Sequence, residues 1–472
     1  MNPKNHAIQA PETQTFAQQI GAFVSQRHQL SADYEGWMRL LHADYAAVTL
    51  GGLDRESAEV VRRAVPTWDE ASPAAPSRVV SAPGRETFAT PEHAALVNGT
   101  IAHGLELDDT FEESSLHPAV VVFPALFAVS EEEGSSYGDL LAAAAVGYEV
   151  MCRVGVLLGA AESYGRGFHP TGVAGALGSA AAVANLLRLD ATQSTNAISI
   201  AANITAGSLE FLSDGSWTKR LNSGNAAAAG IRAARLAQAG FTAPLTSIEG
   251  RDGFLTQYGR GLVEGRGLNL IAGSAAWDTS IKFYPCCRYM HGGIDLLREI
   301  RAENPELDIT KVDRIDVAVI SAGASLVSLP RERKNTVTSA VDAQFNMPFG
   351  AALALKTGEA TVADFDNAPE IANELSDLIP KVNCYTDEAI EAAFPAAWQA
   401  RVKVVLEDGT EFEKFEDAFV GSSGKRATWE QIENKAAGLV GPEMARALLA
   451  HVSDLALDDA AVLAAADVPS RV

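Results

Sequence analysis

From about residue 13 to residue 270 apolar positions recur at helical spacing. The stretches 137–159, 172–187, 191–209 and 223–239 are rich in Ala, Leu and Val and are joined by short polar turns. This pattern predicts an all-helical first domain over residues 1–271. Small side chains let helix axes approach closely, and the regularly spaced Gly172, Gly175 and Gly178 predict a groove for a neighbouring helix. After Trp277 the period changes. Residues 313–320 (DRIDVAVI) alternate as a strand does, and 401–406 and 411–415 flank Asp408-Gly409, a hairpin signal. A smaller α+β domain is therefore expected over residues 272–423, with helices at 344–355 and 364–378. Thr428 and Gln431 have capping-box spacing. They open a helical tail, residues 424–472, expected to run to Ala465 and to return to the first domain. No solenoid-length repeat occurs, and the expected fold class is mainly α with a smaller α+β part.

The 472 residues suffice for two or three domains. Hydrophobic residues make up 47% and charged residues 21%, the balance of a globular chain and not of a disordered one. The net charge of −23 opposes attraction to a phosphate backbone or an anionic bilayer, so neither nucleic acid nor membrane is an expected partner. The longest apolar stretch, 140–161, contains Glu149 and Arg153 and reads as a buried helix instead of a membrane span. Residues 1–10 lack the apolar run of a leader, and the cytoplasm is the expected compartment. Cys152, Cys286, Cys287 and Cys384 form no CxxC pair, so neither a zinc ribbon nor an iron–sulfur cradle is spelled out.

Four polar clusters carry candidate chemistry. The first is His103-Gly-Leu-Glu106-Leu-Asp108-Asp109-Thr110, followed by His117. While a helix lasts, His103, Glu106 and Asp109 share a face. Three readings are open: a solvated acidic loop continuing into Glu112-Glu113, a divalent-metal site of His103, Glu106, Asp109 and His117, or an acid/base and substrate-orienting site. In the second, Gly167-Phe-His169-Pro-Thr-Gly172, the proline marks a helix start and sets His169 beside free N–H groups that favour an anion. The third, Lys219-Arg220, is a local anion site in an acidic chain. The fourth, IKFYPCCRYMH, brings Lys282, Arg288 and His291 to the domain junction, where ligand sites often lie, and Arg suits carboxylates. Ser216-x-x-Lys219 with Lys356-Thr-Gly358 imitates the penicillin-acylating serine enzymes, but the element order is wrong and Gly358 reads as a helix cap. No phosphate-binding loop and no GxGxxG after a strand occurs. Neither a cofactor nor a metal is expected.

Taken in order, HGLELDDT (103–110), FHPTGVAGALGSAAA (168–182), TKRLNSGNAAAAG (218–230), IKFYPCCRYMH (281–291) and DAQFNMPFGAALAL (342–355) resemble the MmgE/PrpD family over about residues 13–465. That family includes 2-methylcitrate dehydratase, cis-aconitate decarboxylase and iminodisuccinate epimerase. The resemblance implies that the smaller domain is a lid, that the active site lies in the cleft beneath it, and that the chain is a homodimer. It also implies acid/base and anion-binding positions at Asp109 and its neighbours, His117, His169, Lys219, Lys282 and His291. One departure is visible: the family commonly has Leu-Asp-aromatic-Asp-Asp where this chain has Leu105-Glu106-Leu107-Asp108-Asp109, so Glu106 is a longer acid at a frequent Asp position.

These residue types suit a small di- or tricarboxylate. Lys219, Arg220, Lys282 and Arg288 would hold its carboxylates and stabilise the enediolate-like charge left when an α proton departs, with His103, Glu106 and His291 as further substrate-binding groups. His169 is the first-choice base, and His117 or Asp109 would protonate a departing hydroxyl. Loss of water from the carbanion makes a dehydratase, loss of carbon dioxide a decarboxylase, and return of the proton to the other face an epimerase. The expected activity is that of a metal-independent hydro-lyase of the 2-methylcitrate dehydratase type. The alternatives are an imino- or amino-dicarboxylate epimerase, a cis-aconitate-type decarboxylase and a non-catalytic carboxylate binder.

Overall fold

A computed structural model describes residues 14–81, 85–394 and 396–462. The reading of residues 1–10 and the expected end of the tail at Ala465 lie outside these described residues. The first domain contains α1 (Phe16–Val24), α2 (Ala32–Gly51), α3 (Pro91–Ala102), α4 (Ala119–Glu133), α5 (Tyr137–Leu158), α6 (Pro170–Leu186), α7 (Ala191–Ile204) and α8 (Thr218–Gln238). Every residue of α6 is buried, as its uncharged, Ala- and Gly-rich sequence requires, and α4, α5, α7 and α8 pack around it. Its glycines serve several neighbours and not one groove. Gly175 lies against Val121 of α4 and Ala226 of α8, while Gly178 lies against Met151 of α5.

Helix α5 is long and apolar enough to cross a membrane, yet 83% of its most apolar window is buried inside the protein. Its fully buried Glu149 is paired with Arg153 at 3.0 Å and accepts the Ala275 N–H at 2.8 Å, which is how a charge is tolerated in a core helix. Helix starts follow their capping residues. Ser136 accepts the Asp139 N–H before α5, and Asp190 and Gln193 form a capping box before α7. Two expectations are corrected. Helix α7 ends at Ile204 and not at residue 209, because Thr205 is extended and its hydroxyl donates to the Val173 carbonyl at 2.7 Å. The first domain is not wholly helical either. Ser77–Arg78 pairs with Phe88–Ala89, Thr110–Phe111 pairs with Thr279–Ser280, and residues 240–273 contain only the short helix Phe254–Tyr258.

The second domain sets α9 (His291–Glu303), β1 (Val312–Ala318), α10 (Met347–Thr357), β2 (Val382–Tyr385), β3 (Ala400–Leu406) and β4 (Glu411–Glu416) around its own core. The strand order is β2-β1-β3-β4, with β1 and β2 parallel and the other pairs antiparallel. Ile315 of β1 stands opposite Val382 and Val404, and buried Val312, Ile315, Val317, Val402 and Val404 belong to the core they share with α9 and α10. The β3–β4 turn uses Gly409 at φ 85, the backbone region that favours Gly. The segment expected as one helix at 364–378 forms two, Val362–Asp366 and Ala368–Glu374, because Pro369 opens the second. The tail helices α11 (Trp429–Val440) and α12 (Pro442–Asp454) pack on α2 and join the first domain's core. Beyond them, the Asp459 and Leu457 carbonyls accept the Tyr137 and Gly138 N–H groups, each at 2.8 Å.

One buried base in this core gives a pH test. His42 on α2 has no exposed surface, its Nδ1 lies 2.9 Å from the Tyr137 hydroxyl, and the Phe123 and Phe127 rings flank it. Burial, followed by the charges of His451 and Arg39, pushes its pKa down to about 3. The unfolded value is about 6.5, so the neutral ring's contribution is complete above that pH and is lost as pH falls toward 3. His42→Asn should therefore show a shallower loss of stability from pH 7 to pH 5 than the parent, by up to ~2 kcal/mol. Urea unfolding at the two pH values measures this, and equal slopes would contradict it.

Candidate active site

Helix α3 ends at Ala102 with His103 as its C-cap, and the chain then leaves helical geometry. His103, Glu106 and Asp109 therefore do not share a helix face, and Glu106 takes left-handed backbone, φ 57. That turn sends the Glu106 side chain inward, where it meets Lys219 from the first turn of α8 and Lys282, whose Nζ donates to Oε1 at 2.9 Å. All three residues are buried. The loop carbonyls are held as well. Gln344 Nε2 donates to the Leu105 carbonyl at 3.3 Å, Lys282 Nζ to that of Glu106 at 3.2 Å, and Lys435 Nζ to that of Leu107 at 2.8 Å. Lys435, on α11, also pairs with Asp44 of α2 at 2.5 Å.

Three imidazoles stand beside this cluster. His103 and His117 have ring centroids 5.0 Å apart, and those of His103 and His169 are 6.0 Å apart. His103 Nδ1 bonds to Asp108 Oδ2 at 2.9 Å, and His117 Nδ1–H donates to the Asp109 carbonyl at 2.6 Å. His169 is the N-cap of α6, with Nδ1 3.3 Å from the Asn222 side-chain amide. Burial, followed by the charge of Lys282, pushes the His117 pKa down to about 3. Burial and Lys219 hold His169 well below the usual range. Burial acts against the Glu106 charge, but the two lysines outweigh it and keep the carboxyl far below its ordinary value. Burial acts against the Lys282 charge, but Glu106 and Asp108 together hold it above the usual lysine value.

The cavity between the domains is lined on one side by Glu106, Thr110, Ser115, His117, His169 and Lys219. Phe211, Leu212, Arg288, Tyr289, Phe345 and Trp398 line the other side. Arg288 is tied to Glu112, Nε to Oε1 at 3.0 Å, so Glu112 is a buried partner and not part of a solvated loop.

Five predicted site residues do not line this cavity: Asp109, Arg220, His291, Lys282 and His103. Asp109 turns its carboxyl to the Ala119 N–H at 3.0 Å and the Tyr148 hydroxyl at 2.8 Å, and burial raises its pKa. Its assignment as a proton donor to a leaving group is corrected, because the carboxyl caps the start of α4. Arg220 donates to Ser57 Oγ at 2.9 Å, away from the lysines. His291 accepts from Arg288 Nη1 at 3.3 Å and lies behind it, its Nε2 3.4 Å from the Cys286 carbonyl. Lys282 and His103 stand behind the cavity wall and act on it through Glu106 and Asp108. Sequence reasoning missed Tyr289, whose hydroxyl lies 2.7 Å from Ser115 Oγ, and Gln344, although both fall inside motifs already quoted. Nothing in the sequence marks Lys435.

Comparison with known proteins fits this geometry. The MmgE/PrpD N-terminal domain matches residues 18–263 and the MmgE/PrpD C-terminal domain matches residues 284–458. The chain belongs to the MmgE/PrpD family. It is 27% identical over 389 residues to a cis-aconitate decarboxylase of Aspergillus terreus, covering 78% of each chain. It is 29% identical over 391 residues to that of Homo sapiens, covering 79% of this chain and 78% of the relative. The Mus musculus cis-aconitate decarboxylase is 28% identical over 365 residues, 75% of this chain and 72% of the relative. These relatives are of the lyase type.

The Lys435–Asp44 pair gives a second test. Lys435→Met leaves Asp44 buried without its cation and should lower stability by ~3–5 kcal/mol. Adding Asp44→Leu removes the stranded charge and should recover most of that loss. Denaturant unfolding of the parent, single and double variants distinguishes the outcomes, and a double variant no better than the single would refute the pairing argument.

Proposed function

We propose that this protein is a lyase that breaks a bond adjacent to a carboxylate of a small di- or tricarboxylate, with His117 and His169 as the proton-transferring pair. The observation that carries this is the placing of two buried neutral imidazoles on one cavity beside Lys219 and Glu106, with Lys282 paired to Glu106 from behind the wall. Carboxylates of an entering substrate offset the lysine charges that suppress the imidazoles, which raises their basicity once substrate is bound. The Lys219 ammonium then faces the enediolate-like charge as it develops, and Lys282 acts on it through Glu106.

Two outcomes share this carbanion. In decarboxylation the carbon–carbon bond to one carboxylate breaks, carbon dioxide leaves, and the electron pair left on carbon takes a proton from an imidazolium formed when the substrate-bound imidazole, made more basic, takes a proton from water. In dehydration one imidazole takes the α proton while the hydroxyl departs with a proton from the other. The three relatives described above are named cis-aconitate decarboxylases, which favours loss of carbon dioxide as the first reading. Dehydration of the 2-methylcitrate type, ranked first on motifs alone, stands second.

Proton NMR in D2O with cis-aconitate, citrate, 2-methylcitrate and iminodisuccinate tests this. The expected result is loss of carbon dioxide from cis-aconitate with one solvent deuterium in the product. An alkene formed from 2-methylcitrate would instead establish the dehydratase, and exchange with change of stereochemistry alone the epimerase. His169→Asn and Lys282→Met should each lower kcat/KM by roughly 10²–10⁴-fold, with the helical circular dichroism retained. Full activity in both variants would place the chemistry elsewhere.

A further inference from the structure

His103, His117 and His169 come from the end of α3, the loop before α4 and the start of α6, yet one ring nitrogen of each lies within 4.8 Å of the others. The Nδ1 atom of each ring has a hydrogen-bonding neighbour. His103 Nδ1 meets the Asp108 carboxylate at 2.9 Å, His117 Nδ1–H donates to the Asp109 carbonyl at 2.6 Å, and His169 Nδ1 lies 3.3 Å from the Asn222 amide. At His103 and His117 an Nδ1–H given to a carboxylate or carbonyl fixes the tautomer in which Nε2 carries a bare lone pair, the outer arrangement that orients metal-bound imidazoles, whereas His169 Nδ1 accepts the Asn222 amide N–H, so its Nε2 gives up a proton when it binds an ion. The Nε2 of His103 is buried and has no hydrogen-bond partner among the described residues. Asp108 adds a buried negative charge behind two of the rings, at 2.9 Å from His103 Nδ1 and 3.4 Å from His117 Nδ1.

We propose that His103, His117 and His169 form a binding site for a divalent transition ion of the Zn²⁺ type, and that the bound ion blocks the protein's activity. Three imidazoles suit Zn²⁺ or Co²⁺, with a fourth position left for water or substrate. Tetrahedral ligation at ~2.0–2.1 Å needs ring nitrogens about 3.3 Å apart, so the rings close inward when the ion binds. The ion enters through the cavity that His117 and His169 line. Once there it takes the lone pairs the proposed acid/base pair uses. The blocking effect rests on the proposed function; the binding site does not.

The test is titration of the metal-free full-length protein with CoCl₂, followed by the visible absorption of tetrahedral Co²⁺ and by displacement with ZnCl₂. One ion per chain is expected, with affinity at least tenfold weaker in His103→Gln and in Asp108→Asn and unchanged in His451→Gln. Circular dichroism checks folding, and Asp108→Asn decides the matter if His103→Gln does not fold. Absence of saturable one-to-one uptake, equal affinity in a folded His103→Gln or Asp108→Asn protein, or a thiolate-to-cobalt band would overturn the site. For the blocking effect, Zn²⁺ should suppress turnover and a chelator should restore it. Activity lost on chelation and regained with Zn²⁺ would overturn the blocking role while supporting the site. Because the Co²⁺ spectrum needs no substrate, failure of the lyase reading leaves the binding result legible.

Discussion

Burying the Glu106 carboxylate is the constraint on which the rest of the site depends. A carboxylate out of water is tolerated only when paired and hydrogen-bonded, and Lys219 and Lys282 satisfy it from two distant parts of the chain. The turn that aims it inward puts a non-Gly residue in left-handed backbone, a conformation that persists only when its surroundings over-determine it. Three consecutive carbonyls on this turn lose water as well and need donors of their own. They find them in Gln344 of the second domain, Lys282 of the junction and Lys435 of the tail. The loop therefore keeps its shape only while all three segments are docked, and formation of the site is coupled to completion of the fold.

The same burial sets the electrostatics. The lysines that keep Glu106 ionised also press on the imidazoles, so His117 and His169 rest neutral with Lys282 and Lys219 as their strongest charged perturbers. Asp108 opposes this at His103 and His117 by accepting or facing their Nδ1 atoms. Neutral rings next to ammonium groups form a resting state that charged substrate changes directly, because any carboxylate near the lysines reduces the field at the rings.

Much of this was legible in the sequence. Period and caps located α5, α6 and the β3–β4 hairpin to within a few residues, because each has a strong local cause: Ser136, Pro170 and Asp408-Gly409. The family resemblance and the mainly helical fold with a small sheet were also readable from the ordered motifs. Other features depend on contacts distant in the chain. That Asp109 faces Tyr148 while Glu106 faces the lysines follows from where the backbone leaves α3, and helical spacing extrapolated past His103 gave the wrong partners. A solvated loop stayed open for Glu112, and Lys435 carried no signal, because their partners, Arg288 and Asp44, lie far away in sequence. A charged residue in a helical tail carries no mark of the ion pair that buries it.

The longer acid at position 106 bears on how substrate is taken up. In the resting site the cations near the cavity are already paired: Lys219 and Lys282 with Glu106, and Arg288 with Glu112. On the proposed function, a polycarboxylate substrate does not fall into an empty positive pocket; its oxygens would replace protein oxygens on these cations. Such an exchange gains less affinity than binding to unpaired charges, since the cations are exchanging one carboxylate for another. It discriminates more sharply, because a ligand with too few or misplaced carboxylates leaves Glu106 or a lysine buried and unpaired, at a penalty of several kcal/mol. A glutamate that reaches both lysines with one carboxylate makes that exchange all-or-none. Glu106 thus connects the stability of the empty site to the selectivity of the filled one.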